Sequence, residues 1–500
     1  MVEAGEIARL RLFLKLAAQL EHRDQIEPFP DLDLNIKTGN LLVGIADQED
    51  VERRFSSSIL ASAVFDKIAG AVEESAEIFG AFIAAQTRSD APEAIRVLKQ
   101  AFQEQTDGLR TEVDRMLHDM RTEPEMLEDW VASHQPFHWF LEFPKVLSRG
   151  GFDVVVGNPP YVAASKVDYV YSGFENDRAG DIFAPCMERA ADLVNASGRY
   201  SMIVPIAFQF SNDYAITRSA LAARIPALWA STYSRNPSAL FSAGLGVRSS
   251  IVVGAQGEPP SLHTTCLRRW WEAMRPHLFN TNEYARHPTG DRAVPWPRSG
   301  PRLAELFVAL TSDGHRIGEA ARRIGPELGF KETALYYPSV FVDEPPAWEL
   351  DGTRTAQTKV GWLRFASESE RDVAFVLLAG RLSNWWWGAT GDDFHVTKAL
   401  LASFPIGPSQ VEKAWPELIK FAAQLRKEQQ RHPLVTKYAG REMGNYDMSR
   451  CRHITDRVDR LVLETLGCGH YWPDVMLADS RMAKATGERP GTRREWPFRL

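Results

Sequence analysis

The stretch Phe152-Asp-Val-Val-Val-Gly157 runs directly into the turn Asn158-Pro-Pro-Tyr161. A short β-branched run bounded by glycines is typical of a buried strand in a parallel sheet. Downstream, the pattern predicts a helix from Asp181 to Val194 and buried strands from Gly198 to Pro205 and from Ser249 to Val253. Strands that alternate with helices in this way predict an α/β sheet.

The turn after the first strand is chemically specific. Ligands of open α/β sheets bind beyond the carboxyl ends of the strands, and two consecutive prolines make this turn rigid while leaving its carbonyl groups free. The side-chain oxygen of Asn158 and the carbonyl of Pro159 can hold both hydrogens of an exocyclic amino group, while Tyr161 stacks on the ring. This grip would make an aromatic amine a better nucleophile. The alternatives are a plain structural turn and a polyproline ligand, but such ligands lie in disordered tracts.

The flanking segments predict further elements. A helical spacing covers Glu6 to Leu16, and an extended segment from Leu32 to Ile36 leads to a turn at Gly39-Asn40. From Glu52 to Trp130 the helical periodicity predicts a hairpin or small bundle of helices. The last third mixes short strands with one clear helix, Ile454 to Leu466.

Composition describes a globular chain of roughly three domains. Of the 500 residues, 44% are hydrophobic and 25% charged, which excludes a disordered or fibrous protein. Apolar runs stay below the roughly 18 residues of a membrane helix, and the first residues do not resemble a signal peptide. The four cysteines lie far apart without a Cys-x-x-Cys pair, which argues against a zinc site and a disulfide framework. We therefore expect a cytoplasmic protein without a membrane partner.

The two ends of the chain differ in charge. The net charge is −7, but residues 1–150 carry 16 basic and 27 acidic residues, a balance of −11. Residues 381–500 carry 19 basic and 14 acidic residues, a balance of +5. An acidic front and a basic back favour different roles for the two ends, although a mild basic surplus is usually just a solvated surface.

Four stretches resemble the amino-methylating, S-adenosylmethionine-dependent DNA methyltransferases, specifically the large adenine-N6 enzymes of restriction–modification and related phage-defence systems. These stretches are His138-Trp-Phe-Leu-Glu-Phe-Pro144 with Gly151 to Tyr161, Leu34 to Leu42, Asp181-Ile-Phe183 with Gly198 to Pro205, and Asn384-Trp-Trp-Trp387 to Val396 with Gly444-Asn-Tyr-Asp447. The resemblance covers most of the chain. Its Asn-Pro-Pro-Tyr motif is specific for methylation of a planar amine, and the other matches are moderate.

The resemblance implies an α/β fold, a partial Rossmann-like S-adenosylmethionine-dependent methyltransferase fold with a helical insertion and a C-terminal mixed α+β target-recognition domain. The implied divisions are an N-terminal part of an incomplete methyltransferase domain at 1–50, the helical insertion at 51–135, the catalytic domain at 136–256, a linker at 257–300, the DNA-binding target-recognition domain at 301–487 and a tail at 488–500.

The resemblance also implies site residues. The implied catalytic turn consists of Asn158, Pro159, Pro160 and Tyr161, in which Asn158 and Pro159 hold the amino group of a flipped adenine and Tyr161 stacks on the base. The implied cofactor-binding residues are Asn40 and Leu41, which line the adenine of S-adenosylmethionine, and Asp181 near the pocket. The remaining implied substrate contacts are Phe183, which stands where the family commonly has Tyr, and Arg441 and Arg450, which could reach the phosphates of double-stranded DNA. No metal is implied.

One part of the family pattern is missing. These enzymes bind the cofactor with a Gly-rich turn after their first strand and hold its ribose with an acidic residue after the second, and neither precedes Asn40. A permuted order, with Ser242-Ala-Gly-Leu-Gly246 as the glycine turn, is one explanation, but a lone Gly-x-Gly is weak. A companion chain that supplies the motif and a truncated fragment are both favoured over permutation, and the choice between them stays open.

Other functions and roles remain as alternatives. The chain could be a DNA-recognition subunit without chemistry of its own, or a methyltransferase acting on a protein glutamine amide, although the roughly 250 residues after Gly254 would then have no purpose. Trp385, Trp386 and Trp387 are expected to be core aromatics rather than a platform near DNA, and His395 and His453 ordinary structural histidines. No convincing nuclease signature is found, so any cleavage is expected to come from another chain.

Overall fold

The computed structural model describes residues 2–19, 35–55, 59–88, 91–121, 125–241, 246–288, 293–334, 337–438 and 440–484. The chain divides into two compact units. The first unit comprises Met1–Met202, Ile216–Ala227 and Val253–Pro259, and the second comprises Ile203–Ala215, Leu228–Val252 and Pro260–Leu500.

The first unit opens with helices. They are α1 Val2–Ala17, α2 Gln48–Phe55, α3 Ile59–Thr87, α4 Pro92–Asp119, α5 Leu127–His134, α6 Trp139–Glu142 and α7 Pro144–Leu147. Proline in its first turn starts α4, where a fixed φ and a missing N–H cost nothing. Helices α3 and α4 pack through aromatic rings, with Phe79 and Phe102 at 5.1 Å between centroids. The helical periodicity predicted such a pair of packed helices.

Strands follow the helices. The next elements are β1 Phe152–Gly157, α8 Phe183–Asp192, β2 Val194–Pro205, α9 Ala207–Phe210, α10 Ala215–Arg224, β3 Ala227–Tyr233, β4 Ser249–Ala255, β5 Ser261–Arg268 and β6 Ala285–His287. The sheet has the order β1-β2-β4-β3-β5-β6. Strands β1 and β2 run parallel, with Val155 opposite Tyr200, and β5 and β6 run antiparallel. The predicted α/β sheet with parallel strands is confirmed, and the segment predicted to be a linker at 257–300 holds β5 and β6.

The predicted burial of the first strand is wrong. Val154 is 59% exposed and Val156 is 73% exposed, although both are apolar and β-branched. Strand β1 ends the sheet order, and these two side chains lie on one of its faces because side chains alternate along a strand. A valine-rich run predicts a strand, but its burial also requires an element that packs on that face, and none of the described residues covers it.

The rest of the second unit mixes helices with short antiparallel strands, as predicted. Its elements are α11 Pro301–Thr311, β7 Glu327–Lys331, β8 Val340–Phe341, β9 Ala347–Glu349, β10 Arg354–Thr355, β11 Val360–Arg364, α12 Glu368–Leu378, α13 Arg381–Thr390, α14 Lys398–Ala402, α15 Trp415–Arg431, β12 Pro433–Tyr438, β13 Arg441–Tyr446, α16 Arg452–Thr465 and α17 Trp472–Lys484. They form two sheets, β10-β9-β13-β12 and β11-β7-β8.

Helices α12 to α17 enclose an apolar core. Trp385, Trp386 and Trp387 belong to it and are 5%, 6% and 1% exposed, which confirms that they are core aromatics. Within the part of the chain that the structure describes, no helix is long and apolar enough to cross a membrane. The candidate glycine turn at 242–246 lies almost wholly outside the described residues, as do the tail at 488–500 and most of the extended segment predicted at 32–36.

Candidate active site

The Asn-Pro-Pro-Tyr turn leaves the carboxyl end of β1 and is anchored to the start of α8. The N–H of Ile182 donates to the Val162 carbonyl at 3.0 Å, and the N–H of Ala164 donates to the Gly180 carbonyl at 2.8 Å. An isolated antiparallel bridge joins Ala163 to Asp181. Asp181 therefore lies opposite Ala163, which follows Tyr161 by two residues.

The turn presents acceptors that the protein itself does not use. Asn158 is exposed, Pro159 is buried, Pro160 is exposed and Tyr161 is half-buried. Among the described residues, no group donates a hydrogen bond to the Asn158 amide oxygen or to the Pro159 carbonyl. Burial raises the pKa of Tyr161 to about 12, so its ring carries no charge near neutral pH. Two adjacent free acceptors beside a neutral aromatic ring can bind a planar amino group.

The segment around Asn40 meets this turn through an apolar cluster. The N–H of Asn40 donates to the Gln135 carbonyl at 2.6 Å, and the side-chain oxygen of Asn40 accepts from the N–H of Leu42 at 3.1 Å. Its side chain also hydrogen-bonds the hydroxyl of Tyr169. The cluster consists of Leu42, Phe174, Ile182 and Cys186, with Leu41, Val162, Ala164, Val167, Tyr169 and Tyr171 packed against it. Leu41 therefore belongs to the same cluster as Val162 and Ile182, the chain neighbours of Tyr161 and Asp181.

A buried charge network holds the 40–46 segment against α8. The Asp50 carboxylate accepts from the N–H of Ala46 at 2.9 Å and pairs with Arg54 at 2.9 Å and Arg189 at 2.7 Å. The same guanidinium groups donate to carbonyls of the segment, Arg54 to Val43 at 3.2 Å and Arg189 to Gly44 at 3.4 Å. Burial acts to raise the pKa of Asp50, but the two arginines outweigh it and lower the pKa to about 2.

A buried histidine ties the same segment to α4. His138 Nδ1 accepts from the N–H of Ile45 at 3.2 Å, so its Nε2 carries the hydrogen that is donated to Asp114 at 3.0 Å. Sequence reasoning missed both this pair and the Asp50 network. The approach segment His138 to Pro144 was identified only by resemblance, and no periodicity marks Asp50, Asp114 or Arg189 as partners.

The remaining predicted residues are either buried at the start of α8 or belong to the second unit. Phe183 begins α8 and is 0% exposed. Arg441 and Arg450 belong to the second unit, where Arg441 pairs with Glu349 at 2.9 Å. Arg450 is exposed and forms no ion pair with a described residue. Burial raises the pKa of Cys186 to about 12, so this thiol stays protonated and is not a nucleophile.

Comparisons with known proteins bear on this site. Residues 2–223 match the family described as Eco57I restriction-modification methylase. The predicted resemblance to restriction–modification methyltransferases is confirmed. A segment of 88 residues is 30% identical to a protein of Methanocaldococcus jannaschii assigned as a type II restriction enzyme and methyltransferase, and it covers 17% of this chain and 8% of that protein.

Two solved structures are similar over longer stretches. The DrdV–DNA complex shares 9% identity with a TM-score of 0.32 over 70% of this chain and 58% of that chain. A nuclease-deletion mutant of the Type ISP restriction–modification enzyme LlaGI, in complex with a DNA substrate mimic, shares 8% identity with a TM-score of 0.33 over 80% of this chain and 58% of that chain. The chain spans less than two thirds of the length of each of these proteins.

Proposed function

We propose that this chain is a DNA methyltransferase of a restriction–modification or phage-defence system, which transfers a methyl group from S-adenosylmethionine to the N6 amine of a flipped adenine. The observation that carries the proposal is the pair of free acceptors at Asn158 and Pro159, at the carboxyl end of a parallel strand. The family match over residues 2–223 supports methyl transfer as the chemistry. The fold that we propose is a partial Rossmann-like methyltransferase fold in which α3 and α4 form a helical insertion.

The turn would act by holding and polarising the amine. The Asn158 amide oxygen and the Pro159 carbonyl accept the two N–H groups, which draws electron density onto nitrogen and orients its lone pair away from the turn. The neutral ring of Tyr161 stacks on the base and replaces part of the stacking that the base loses when it leaves the duplex, a loss of a few kcal/mol. The rigidity of the two prolines fixes the acceptors before the base arrives.

The described residues fit one side of an S-adenosylmethionine site. The half-buried side chains of Leu41 and Tyr169 offer apolar and aromatic surface for its adenine. When bound, the cofactor supplies the methyl group as a sulfonium. A second wall with a glycine turn is missing from the part of the chain that the structure describes, so the site is incomplete there.

We propose that a companion polypeptide supplies the missing wall. Val154 and Val156 are exposed apolar side chains on β1 at the edge of the sheet, and Val253 on β4 is also exposed. Helix α1 in the same unit also exposes apolar side chains, among them Leu10 and Leu14. Exposed apolar patches on strands and helices commonly mark surfaces that another polypeptide covers. Tight binding of S-adenosylmethionine by the purified chain alone, measured by calorimetry, would contradict this part of the proposal.

The proposed DNA contacts lie in the second unit. Arg450 is exposed and unpaired among the described residues, which suits a phosphate contact, and Arg441 would have to leave Glu349 to make one. The alternative function, a DNA-recognition subunit without chemistry, is favoured by the incomplete cofactor wall. It predicts DNA binding without methyl transfer in every form of the system.

The test is methyl transfer from radiolabelled S-adenosylmethionine to DNA by any active form of the system. Asn158→Ala removes one of the two acceptors, and we expect a loss of roughly 100- to 1,000-fold in rate, the usual cost of one positioned polar group in a catalytic site. Asn280→Ala, at another exposed asparagine without a described partner, is the matched control and should leave the rate unchanged. Undiminished methylation by Asn158→Ala would overturn the assignment of the turn.

A further inference from the structure

A cavity of about 700 Å³ lies within the second unit, beside α11, α13 and α14. Its wall includes the aromatic rings of Phe210, Phe307 and Trp386 and the side chain of Leu400. Phe307 and Trp386 stack on each other at 5.3 Å between centroids and 15° between planes. Cavities of this size with an aromatic wall and a few polar groups are typical of ligand sites.

A histidine fixed by a carboxylate lines the same cavity. His395 Nδ1 lies 2.5 Å from Asp392 Oδ2, and the other Asp392 oxygen accepts the N–H groups of Phe394 at 2.9 Å and His395 at 2.6 Å. With an ionised Asp392, Nδ1 carries the hydrogen and Nε2 remains for another partner. The neighbouring carboxylate of Asp392 therefore orients the ring of His395.

The other polar groups of the wall divide into used and unused ones. Thr311, Thr390 and Ser403 donate their hydroxyl hydrogens to carbonyls of their own helices at 2.7–2.8 Å. In contrast, the Arg316 guanidinium and the Asn212 amide are exposed and have no side-chain partner among the described residues. The cavity therefore joins an aromatic wall to the Arg316 guanidinium, the Asn212 amide and the Nε2 atom of His395, and the ring of His315, whose Nδ1 lies 3.3 Å from Glu319, also lines it.

We propose that this cavity binds an unstacked nucleotide, with the base against the aromatic wall and the phosphate at Arg316. Aromatic rings bind the planar face of any base, an amide and an imidazole can hydrogen-bond a base edge, and a guanidinium pairs with phosphate. A DNA strand is the source expected for a protein that acts on DNA, so the choice of ligand rests on the proposed function. A free nucleotide has the same chemistry and is the other possible source.

Ala399→Trp is the variant that fills the cavity. Ala399 is exposed on α14 and lines the cavity, so an indole there occupies the space without entering the apolar core. Lys398→Trp, on the preceding exposed residue that does not line the cavity, is its matched control. Arg316→Ala removes the free cation, and Arg323→Ala, at an exposed arginine outside the cavity, is the corresponding control.

The experiment measures fluorescence anisotropy of a labelled ten-nucleotide single strand and of the same strand with abasic central positions. All variants are made in an Asn158→Ala background, which weakens the methyltransferase site. We expect the intact strand to bind at least about tenfold tighter than the abasic one, as the loss of base stacking predicts. Ala399→Trp and Arg316→Ala should each remove most of that preference, while both controls keep it.

Calorimetry with deoxyadenosine monophosphate separates the two sources. If the free nucleotide binds, Ala399→Trp abolishes that binding, and the intact strand is not preferred, the cavity is a nucleotide site whose ligand is a free nucleotide. Equal binding of intact and abasic strands together with no binding of the free nucleotide would overturn it, as would an Ala399→Trp variant that binds like its parent. Because the Asn158→Ala background weakens the methyltransferase site, these binding measurements test the cavity. The methyl-transfer assay tests the proposed function separately.

Discussion

Asp459 shows at the residue scale how burial sets a local property. It lies on α16, is 1% exposed, and accepts the N–H groups of Arg381 at 2.6 Å and Leu382 at 3.4 Å at the start of α13. Burial raises the pKa of its carboxyl to about 7, against the lowering effect of these hydrogen bonds. A carboxyl whose pKa is raised by folding stabilises the protein fully below its unfolded pKa of roughly 4, and that contribution is lost as the pH rises to about 7.

We therefore expect Asp459→Asn to remove a pH dependence. An asparagine still accepts the two N–H groups but cannot ionise, so the free energy of unfolding of the variant should gain on the wild type by up to roughly 1.4 kcal/mol per pH unit between about 4 and 7. Urea denaturation at four pH values in this interval measures the difference. Parallel profiles for the two proteins would contradict the raised pKa.

Sequence patterns predicted some residues and missed others for a physical reason. The Asn158 turn could be identified because a β-branched strand followed by two prolines is a local signal. The exposure of Val156 and the burial of Asp459 could not, because each depends on which distant element packs on the residue. Composition shows neither that no element covers a valine nor that α13 begins on a carboxylate.

At the element scale, the Asp50 network fixes the 40–46 segment relative to α8. We expect Asp50→Asn to destabilise the protein by about 3–5 kcal/mol, because it leaves Arg54 and Arg189 buried without their anion. The low pKa of Asp50, about 2, also means that its contribution is present above about pH 4 and is lost as the pH falls towards 2.

Chemical denaturation measures the loss, and hydrogen exchange at residues 40–46 localises it. Asp107→Asn is the matched control: its partner pair with Arg110 at 2.5 Å is largely exposed, so its loss should cost less than about 1 kcal/mol. Equal effects of the two substitutions, or unchanged exchange in the segment, would show that the network does not hold the 40–46 segment in place.

Elements with a strong local pattern were predictable, and those built from distant pairs were not. Helices α3 and α4 and the strands β1, β2 and β4 follow from periodicity and β-branched runs. Strand β9 consists of three residues that pair with β13 almost one hundred positions later, with Ala347 opposite Met443. Strands β5 and β6 lie in a stretch rich in Pro, Trp, His and Arg, where the sequence has no alternation of polar and apolar residues that would predict a strand.

At the scale of the whole molecule, the chain crosses between its two units several times. The second unit takes Ile203–Ala215 and Leu228–Val252 from a region that sequence analysis assigned to one continuous catalytic domain at 136–256. A linear pattern assigns neighbouring residues to the same domain, because it contains no information on which strands pair. The divisions proposed from the sequence therefore remain predictions, while the α/β character of the sheet was predictable.

The net negative charge of the chain means that the proposed DNA binding depends on a few local cations. Because the net charge is −7, the protein as a whole repels a polyanion, and affinity must come from a few cations that release condensed counterions. We expect Arg450→Ala to lower the slope of log affinity against log salt by about 0.9, the value for one phosphate contact. Arg441→Ala should change the slope less, because Arg441 is already neutralised by Glu349 at 2.9 Å. Anisotropy titrations of a DNA duplex compare the two variants between 50 and 200 mM salt, roughly the range over which such slopes are resolved. An Arg450→Ala slope equal to that of the wild type would show that Arg450 does not contact DNA.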